Sequence, residues 1–295
     1  MTRILAATTE GIYQWPDGTS SLDGTETNTL ALADDLRYAV AKPATILRDD
    51  GEGWREFASL GDVRANCLIH ARTGLFVGTS KAHLLKEDGG GFIPVDTFDS
   101  APGRGEWFTP WGGPPDVRSL AEDERGALYC NVHVGGILRS TDGGSTWSPT
   151  IDVRSDVHEV TTAGERVVAA TAWGLAISFD GGASWEFDDQ GLHASYARAV
   201  AVAGDVVVMS ASSGPRGDAS ALYRRPLNEP GAFVRSGGEL PEWFPDNIDT
   251  GCLSALDESV AFGTEGGELF LSDDSGETFT RVAENLAPVR WVELV

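Results

Sequence analysis

The sequence is poor in lysine. Only three of its 22 basic residues are lysine, whereas Asp and Glu number 45, so the formal net charge is −23. Such a surface repels nucleic-acid phosphates and anionic membranes, and we expect neither as a partner. Carboxylates in such excess indicate a halophilic protein, because concentrated salt screens their mutual repulsion. An acidic protein from an arginine-biased genome is an equally good interpretation.

Cysteine and long apolar runs are also scarce. Cys67, Cys130 and Cys252 lie singly in apolar, strand-like runs, which argues against a disulfide framework and suits a reducing compartment. The first ten residues contain one arginine and no long apolar run, and no stretch approaches the roughly 18 apolar residues of a membrane span. We therefore expect a cytoplasmic protein without a signal peptide.

No segment shows a helical period, but 36 glycines indicate many tight turns. Three segments match the pattern S-x-D-x-G-x-[ST]-[WF]: STDGGSTW at 140–147, SFDGGASW at 178–185 and SDDSGETF at 272–279. In each we expect a hairpin in which the Asp carboxylate accepts turn amides and the Gly takes a positive φ. The aromatic residue then anchors the turn in the sheet.

Degenerate copies of this turn fill the intervals. RDDGEGW at 48–54 and KEDGGGF at 86–92 are one residue shorter, and WPDG at 15–18 and PLNEPGAF at 226–233 occupy the two remaining slots. Upstream of the turns, short β-rich runs alternate with polar turns, which is typical of four-stranded propeller blades rather than of a sandwich. Seven blades are thus predicted, with turns at Asp17, Asp50, Asp88, Asp142, Asp180, Asn228 and Asp274.

The two ends of the chain predict how the fold closes. VRWVELV at 289–295 has the form of an innermost strand, and RILAATTEG at 3–11 and GIYQWPDG at 11–18 look like second and third strands without a first. Joined, they complete one blade and remove exposed sheet edges. Residues 1–295 are therefore predicted to form a single all-β domain, a seven-bladed β-propeller whose termini share one blade.

The repeats resemble those of the Asp-box, or BNR-repeat, propellers, a superfamily that contains sialidases, xyloglucan-cleaving glycosidases, sortilin-type receptors and photosystem II assembly factors. The resemblance covers essentially the whole chain. It implies the fold and says little about function, because the Asp box lies at the blade periphery. It also implies that ligands bind at the mouth of the central channel, on the loops that lead into innermost strands and those that join second to third strands.

Arginines recur at the predicted starts of innermost strands. A guanidinium binds carboxylate or phosphate in a bidentate manner, so this set favours recognition of an anion. The alternative is that each arginine pairs with a carboxylate of a neighbouring blade, such as Asp116, Asp156, Glu159 or Asp249, as part of the scaffold. The four arginines are Arg64, Arg118, Arg198 and Arg290.

Histidines fall near the same predicted face in four blades, at His83, His133, His158 and His193. They show no H-x-H or H-x-x-x-H spacing, so packing is the simpler interpretation, and we expect no metal and no cofactor. His158 and His193, together with Asp249, are nevertheless included among the candidate ligand-binding residues.

Two loops are longer than the blade average: residues 99–116 before blade four and residues 237–251 before blade seven. Both contain Glu-Trp-Phe, which makes Trp107 and Trp243 candidates for stacking on a sugar or for a partner hot spot. The alternative is that these aromatic side chains fold back and plug the channel mouth.

These features favour a non-enzymatic binding or scaffold protein, a monomer that recognises a protein segment or a small anionic ligand. The alternative is a glycoside hydrolase, which needs two carboxylates about 5–10 Å apart beside a sugar cleft. No spacing singles out a pair, and YRRP at 223–226 lies too late in the chain to match the sialidase arginine motif. Xyloglucan-cleaving relatives use two facing propellers, and this sequence supplies one. The candidate carboxylates are Asp116, Asp156, Glu159, Asp246 and Asp249.

Overall fold

The computed structural model describes residues 2–33, 35–110, 112–229 and 231–295, and its regular structure is nearly all β-strand. The strands form seven sheets, so the protein is an all-β, seven-bladed β-propeller, as the repeats predicted. The strands of blades one to three are β1 (Ile4–Thr8), β2 (Gly11–Trp15), β3 (Thr19–Ser21), β4 (Thr27–Ala33), β5 (Leu36–Ala41), β6 (Thr45–Asp49), β7 (Arg55–Ser59), β8 (Ala65–Ala71), β9 (Gly74–Thr79), β10 (Leu84–Asp88) and β11 (Gly91–Pro94).

Blades four to seven repeat this arrangement, and the last strand returns to blade one. Among the described residues, helical structure is confined to an α-helical turn, α1 (Asp96–Asp99), and 3-10 turns at Ser80–Ala82, Arg104–Glu106 and Val153–Ser155. The remaining strands are β12 (Val117–Glu122), β13 (Leu128–Val132), β14 (Gly136–Ser140), β15 (Ser148–Pro149), β16 (Val157–Ala163), β17 (Arg166–Thr171), β18 (Gly174–Ser178), β19 (Glu186–Asp188), β20 (Val200–Ala203), β21 (Val206–Ala211), β22 (Ala221–Pro226), β23 (Val234–Arg235), β24 (Gly237–Gly238), β25 (Leu253–Leu256), β26 (Ser259–Gly263), β27 (Leu269–Ser272), β28 (Thr278–Ala283) and β29 (Val289–Leu294).

The chain divides into two compact units. The first consists of Met1–Thr27, Ala169–Ala176 and Phe187–Val295, and the second of Asn28–Val168 and Ile177–Glu186. Each has its own apolar core: Phe244, Phe262, Phe270 and Phe279 pack together in the first unit, and Tyr38, Val40, Ile46 and Leu75 in the second. That residues 1–295 form one domain stays a prediction.

The predicted closure by the terminal strands is confirmed. β29 pairs antiparallel with β1, with Glu293 opposite Leu5, and the backbones of Arg3 and Val295 exchange two hydrogen bonds of 3.0 Å. Val292 is 1% exposed and packs in the apolar cluster of this blade. The last strand therefore contributes both a ladder of hydrogen bonds and core side chains to the first blade.

The turns of the three clear repeats are held by their aspartates. Asp142 accepts the Thr146 amide at 2.8 Å and the Thr146 hydroxyl at 2.7 Å, and these bonds lower the pKa of Asp142 to about 2. Gly144 has a φ of +92°, and Trp147 is buried beneath the turn. The same carboxylate-to-amide bond recurs between Asp180 and Ser184 and between Asp274 and Thr278.

One shorter repeat differs from the expectation. In the blade-two turn, Asp49 rather than Asp50 accepts the amides of Gly51 and Gly53, at 2.9 and 3.0 Å. Asp50 instead faces Arg55 at 2.7 Å. Asp49 lies five positions before Trp54, the same spacing as between Asp142 and Trp147, so Asp49 is the aspartate in register with the clear repeats.

Blade seven has a fifth strand that the sequence pattern did not predict. β24 lies at the start of the long loop 237–251 and pairs in parallel with β28, Gly238 opposite Phe279. Only glycine fits here, since Gly238 has a φ of +88° and a Cβ would lie 2.3 Å from the Phe279 carbonyl oxygen. This pairing attaches the long loop to its sheet.

Candidate functional site

Trp243 in the loop 237–251 is 38% exposed and is contacted on its ring by two side chains. The His193 ring centroid lies 4.5 Å from that of Trp243, and the Arg235 guanidinium carbon lies 4.2 Å from the Trp243 centroid. His193 Nδ1 is 2.7 Å from the Tyr223 hydroxyl. We call Trp243, His193, Arg235 and Tyr223 the Trp243 surface; all four belong to the first unit.

Strand pairing positions this surface. β22 pairs with β23 so that Tyr223 lies opposite Arg235. The backbones of Ser220 and Phe244 exchange hydrogen bonds of 2.9 and 3.0 Å, which hold the loop against blade six. Phe244 is buried in the core, so its neighbour Trp243 is left at the surface.

The Trp243 surface carries one positive charge, on Arg235. Burial lowers the pKa of His193; the Arg235 charge adds to this shift, and a hydrogen bond with the Ala219 backbone opposes it. The imidazole is therefore neutral at pH 7. Burial also raises the pKa of Tyr223. The guanidinium over Trp243 is thus the single positive charge among these four side chains.

The loop 237–251 also carries exposed carboxylates. Glu239, Glu242 and Asp246 are all exposed. Asp246 also lines a shallow depression beside Phe244. In the described part of the chain, no ion pair engages Asp246, whereas the other two carboxylates of the depression, Glu265 and Glu268, are paired with Arg290 and Arg281.

Two of the four predicted arginines are held in ion pairs. Arg198 meets Asp249 at 2.5 Å, and Arg290 pairs with Glu265. Burial alone would lower the pKa of Arg198, but the Asp249 charge and hydrogen bond raise it. These pairs match the scaffold alternative, and Asp249 is occupied by Arg198. An anion could bind either guanidinium only in competition with its carboxylate.

The other two arginines lie in the second unit and differ from each other. The Arg64 side chain is exposed, and the structure shows no ion pair for it among the residues it describes. Arg118 lies near enough to Asp156 for its charge to lower the pKa of that carboxyl. Arg64 is therefore the predicted arginine best placed to meet an anion from solution.

Trp107 packs differently from Trp243 although both sit in a Glu-Trp-Phe sequence. Its ring lies 5.6 Å from Phe98 and 4.8 Å from the Arg104 guanidinium carbon, while Phe108 is 50% exposed. Trp107 thus packs against residues of its own loop. Trp111 in the same loop lies outside the described residues, as does Pro230 in the predicted turn 226–233.

His158 is fully buried and lies beside a second histidine and a carboxylate. His133 Nε2 and His158 Nε2 lie 3.3 and 3.7 Å from Oδ1 of Asp156. Burial would raise the pKa of Asp156, but His133, His158 and Arg118 together lower it. The spacing between histidines does not indicate this cluster. The feature of the sequence that does is Asp156-x-His158, because residues two positions apart in a strand lie on the same face.

The carboxylates considered for glycoside hydrolysis are mostly engaged elsewhere. Asp116 accepts the Lys81 amide at 3.1 Å, and Asp249 is paired with Arg198. Glu159 is buried, and Asp156 belongs to the histidine cluster. A retaining or inverting mechanism requires two carboxylates open to one sugar, and these contacts favour structural roles for at least Asp116 and Asp249.

Within the residues that the structure covers, no helix has the length and apolar character needed to cross a bilayer.

No protein-family model matches the chain, and no curated protein matches it in sequence. Solved structures do match. YCF48 bound to D1 peptide has a TM-score of 0.60 at 16% identity, over 95% of this chain and 84% of that one. The WD40 repeats of RRP9 have a TM-score of 0.65 at 14% identity, over 91% and 84%.

A GH74 enzyme from Niastella koreensis has a TM-score of 0.68 at 16% identity. The match covers 98% of this chain but 51% of that one. Identities this low show the fold alone. The propeller fold of this chain is therefore shared with a peptide-bound protein, with WD40 repeats and with an enzyme.

Proposed function

We propose that this propeller is a non-enzymatic binding protein that recognises a protein segment through the Trp243 surface. The observation that carries the proposal is a tryptophan that is 38% exposed yet held by His193 and Arg235. Tryptophan and arginine are the residue types most enriched in interface hot spots, and a preorganised ring loses little side-chain entropy on binding. The sequence also predicted a binding role for this loop.

The charges define the partner segment. Glu239, Glu242 and Asp246 are exposed on the same loop as Trp243, and the whole chain carries −23 charges. A segment with an apolar or aromatic anchor and at least one lysine or arginine complements this surface, whereas an acidic segment is repelled. The proposed partner is therefore a basic peptide segment of another protein.

The other functional hypotheses have less support. Recognition of a small anion rests on Arg64, since Arg198 and Arg290 are paired with carboxylates. Glycoside hydrolysis rests on the shared fold. From the repeats, we also propose that the chain belongs to the Asp-box propeller family. A cytoplasmic location, a monomeric state and a binding site at the channel mouth remain proposals. So do binding roles for Arg118, Trp107 and His158.

A displayed library of random peptides tests the proposal. Peptides enriched on the wild-type protein are expected to contain Lys or Arg beside an apolar residue. Their affinity, measured by calorimetry, should fall about 30-fold in Trp243→Ala, the loss of a hot spot of about 2 kcal/mol. Asp246→Asn should weaken the same peptides less and mainly at low salt.

The matched control is Trp173→Ala, which removes a tryptophan that is 61% exposed in the same unit but outside the Trp243 surface. This variant should bind the peptides like wild type. Equal peptide affinity of wild type and Trp243→Ala, with both proteins folded by circular dichroism, would refute the proposed surface.

A further inference from the structure

Three metal-ligating side chains meet in the second unit. One ligand atom from each of His133, Asp156 and His158 lies within 4.8 Å of the other two. His158 is 0% exposed and His133 is 4% exposed. The Asp156 side chain is 31% exposed, so one side of the cluster reaches solvent.

The fold builds this cluster from two strand ends. His133 directly follows β13, where its amide bonds to the Asp116 carbonyl at 2.9 Å. Asp156 ends the 3-10 turn Val153–Ser155 with a φ of +47° and directly precedes β16, whose second residue is His158. Asp156 and His158 are two positions apart, so they lie on the same side of the chain as it enters the strand.

The distances are close to those that a metal ion requires. Bonds of about 2.0–2.1 Å to imidazole and carboxylate place neighbouring tetrahedral ligands about 3.3 Å apart. The two nitrogen-to-Oδ1 distances are 3.3 and 3.7 Å. The separation of the two histidine ligand atoms is within 4.8 Å, so the imidazoles would move toward each other when the three groups bind one ion.

A second observation concerns the carboxylate. Oδ1 of Asp156 is buried, and among the described residues no donor makes a hydrogen bond with it at acceptable geometry. A buried carboxylate oxygen in this situation is costly unless a cation satisfies it. Both Nε2 atoms face that same oxygen, so the position of a bound cation is common to all three groups.

We propose that His133, Asp156 and His158 bind a divalent first-row transition-metal ion. Two imidazoles and one carboxylate are the donors that Zn²⁺ and Fe²⁺ accept, and they distinguish this site from the oxygen-only sites that Ca²⁺ and Mg²⁺ prefer. Three protein ligands leave at least one coordination position on the exposed side, open to water or to a donor atom of a ligand. The histidine spacing alone predicted no metal; the convergence of His133 with Asp156 and His158 reverses that expectation.

Zinc binding to the chelator-treated protein tests the site. Isothermal titration with Zn²⁺ is done in excess Ca²⁺, which occupies oxygen-only sites on the acidic surface. Wild type is expected to bind one equivalent. Asp156→Asn should weaken Zn²⁺ binding by at least 10–100-fold, since it removes the charged ligand. Asn also tolerates the left-handed backbone of position 156, so this variant is expected to fold.

The matched control is His83→Gln. His83 also meets an aspartate, Asp99, at 2.8 Å, but the described residues supply no third ligand there, so this variant should bind Zn²⁺ like wild type. Co²⁺ gives a second measurement: its visible d–d absorption should appear with wild type and be lost in Asp156→Asn and His158→Gln. Absence of Zn²⁺ binding by wild type, or equal affinity in Asp156→Asn, would overturn the proposal.

Discussion

The stability of the closing strand should depend on pH through Glu293. This residue lies in β29, and its carboxylate accepts a hydrogen bond from the Trp291 indole at 2.8 Å. Burial raises the pKa of Glu293 from 4.5 to about 7, although the Trp291 bond opposes the shift. A carboxyl whose pKa rises on folding stabilises the fold below pH 4.5, and this contribution is lost as the pH rises to about 7.

The size of the effect follows from the shift. Each pKa unit corresponds to about 1.4 kcal/mol, so ionised Glu293 destabilises the fold by about 3 kcal/mol near pH 8 and by about 1 kcal/mol near pH 5. The side chain keeps some exposure to solvent, which favours a value below this maximum. Glu293→Gln removes the charge and keeps the oxygen that accepts the Trp291 bond. We expect it to be more stable than wild type by about 2–3 kcal/mol near pH 8 and by less than about 1 kcal/mol near pH 5.

The measurement is urea unfolding of both proteins from about pH 5 to about pH 8. Glu258→Gln is the control, because Glu258 is an exposed glutamate in the turn between β25 and β26. Such a surface change should alter the free energy of unfolding by no more than about 0.5 kcal/mol. A difference between wild type and Glu293→Gln that does not change with pH would refute the reasoning.

Two further predictions concern the whole fold. The melting temperature should rise with potassium chloride, because the Debye length falls from about 10 Å at 0.1 M to about 3 Å at 1 M and the −23 charges then repel one another less; a flat or falling melting temperature would contradict the halophile interpretation. Asp142→Ala should lower the melting temperature without weakening peptide binding, because it removes the two hydrogen bonds from Thr146. The control is Asp62→Ala: Asp62 is exposed and shows no hydrogen bond among the described residues, so this substitution should leave the melting temperature unchanged.

The sequence alone determined the propeller. Turn chemistry is local: an Asp accepts amides two to four residues away, and a Gly takes a positive φ wherever it stands. The seven predicted turns gave the number of blades, and the strand at 289–295 could satisfy its backbone only by pairing near the N-terminus. The fifth strand β24 escaped prediction because two glycines show no alternation from which a strand could be predicted.

The candidate sites depended on contacts between distant residues. Arg198 and Asp249 are 51 positions apart, and nothing in either segment indicates that they meet. Likewise, Asp156 and His158 can be paired from their spacing, but His133 joins them only because β13 ends beside the start of β16. Strand packing therefore determines which arginine side chains are left unpaired for a ligand. It also determines which metal-ligating side chains come together.

The two Glu-Trp-Phe sequences show most clearly that local sequence does not determine which side chains are exposed. In the loop before blade seven, Phe244 is 4% exposed and Trp243 is 38% exposed. In the loop before blade four, Trp107 packs on Phe98 and Phe108 is 50% exposed. Identical tripeptides carry identical local preferences, so their sequences predicted two equivalent sites. Tertiary structure makes the two loops different, because one backbone path turns the Phe side chain toward buried neighbours and the other turns the Trp.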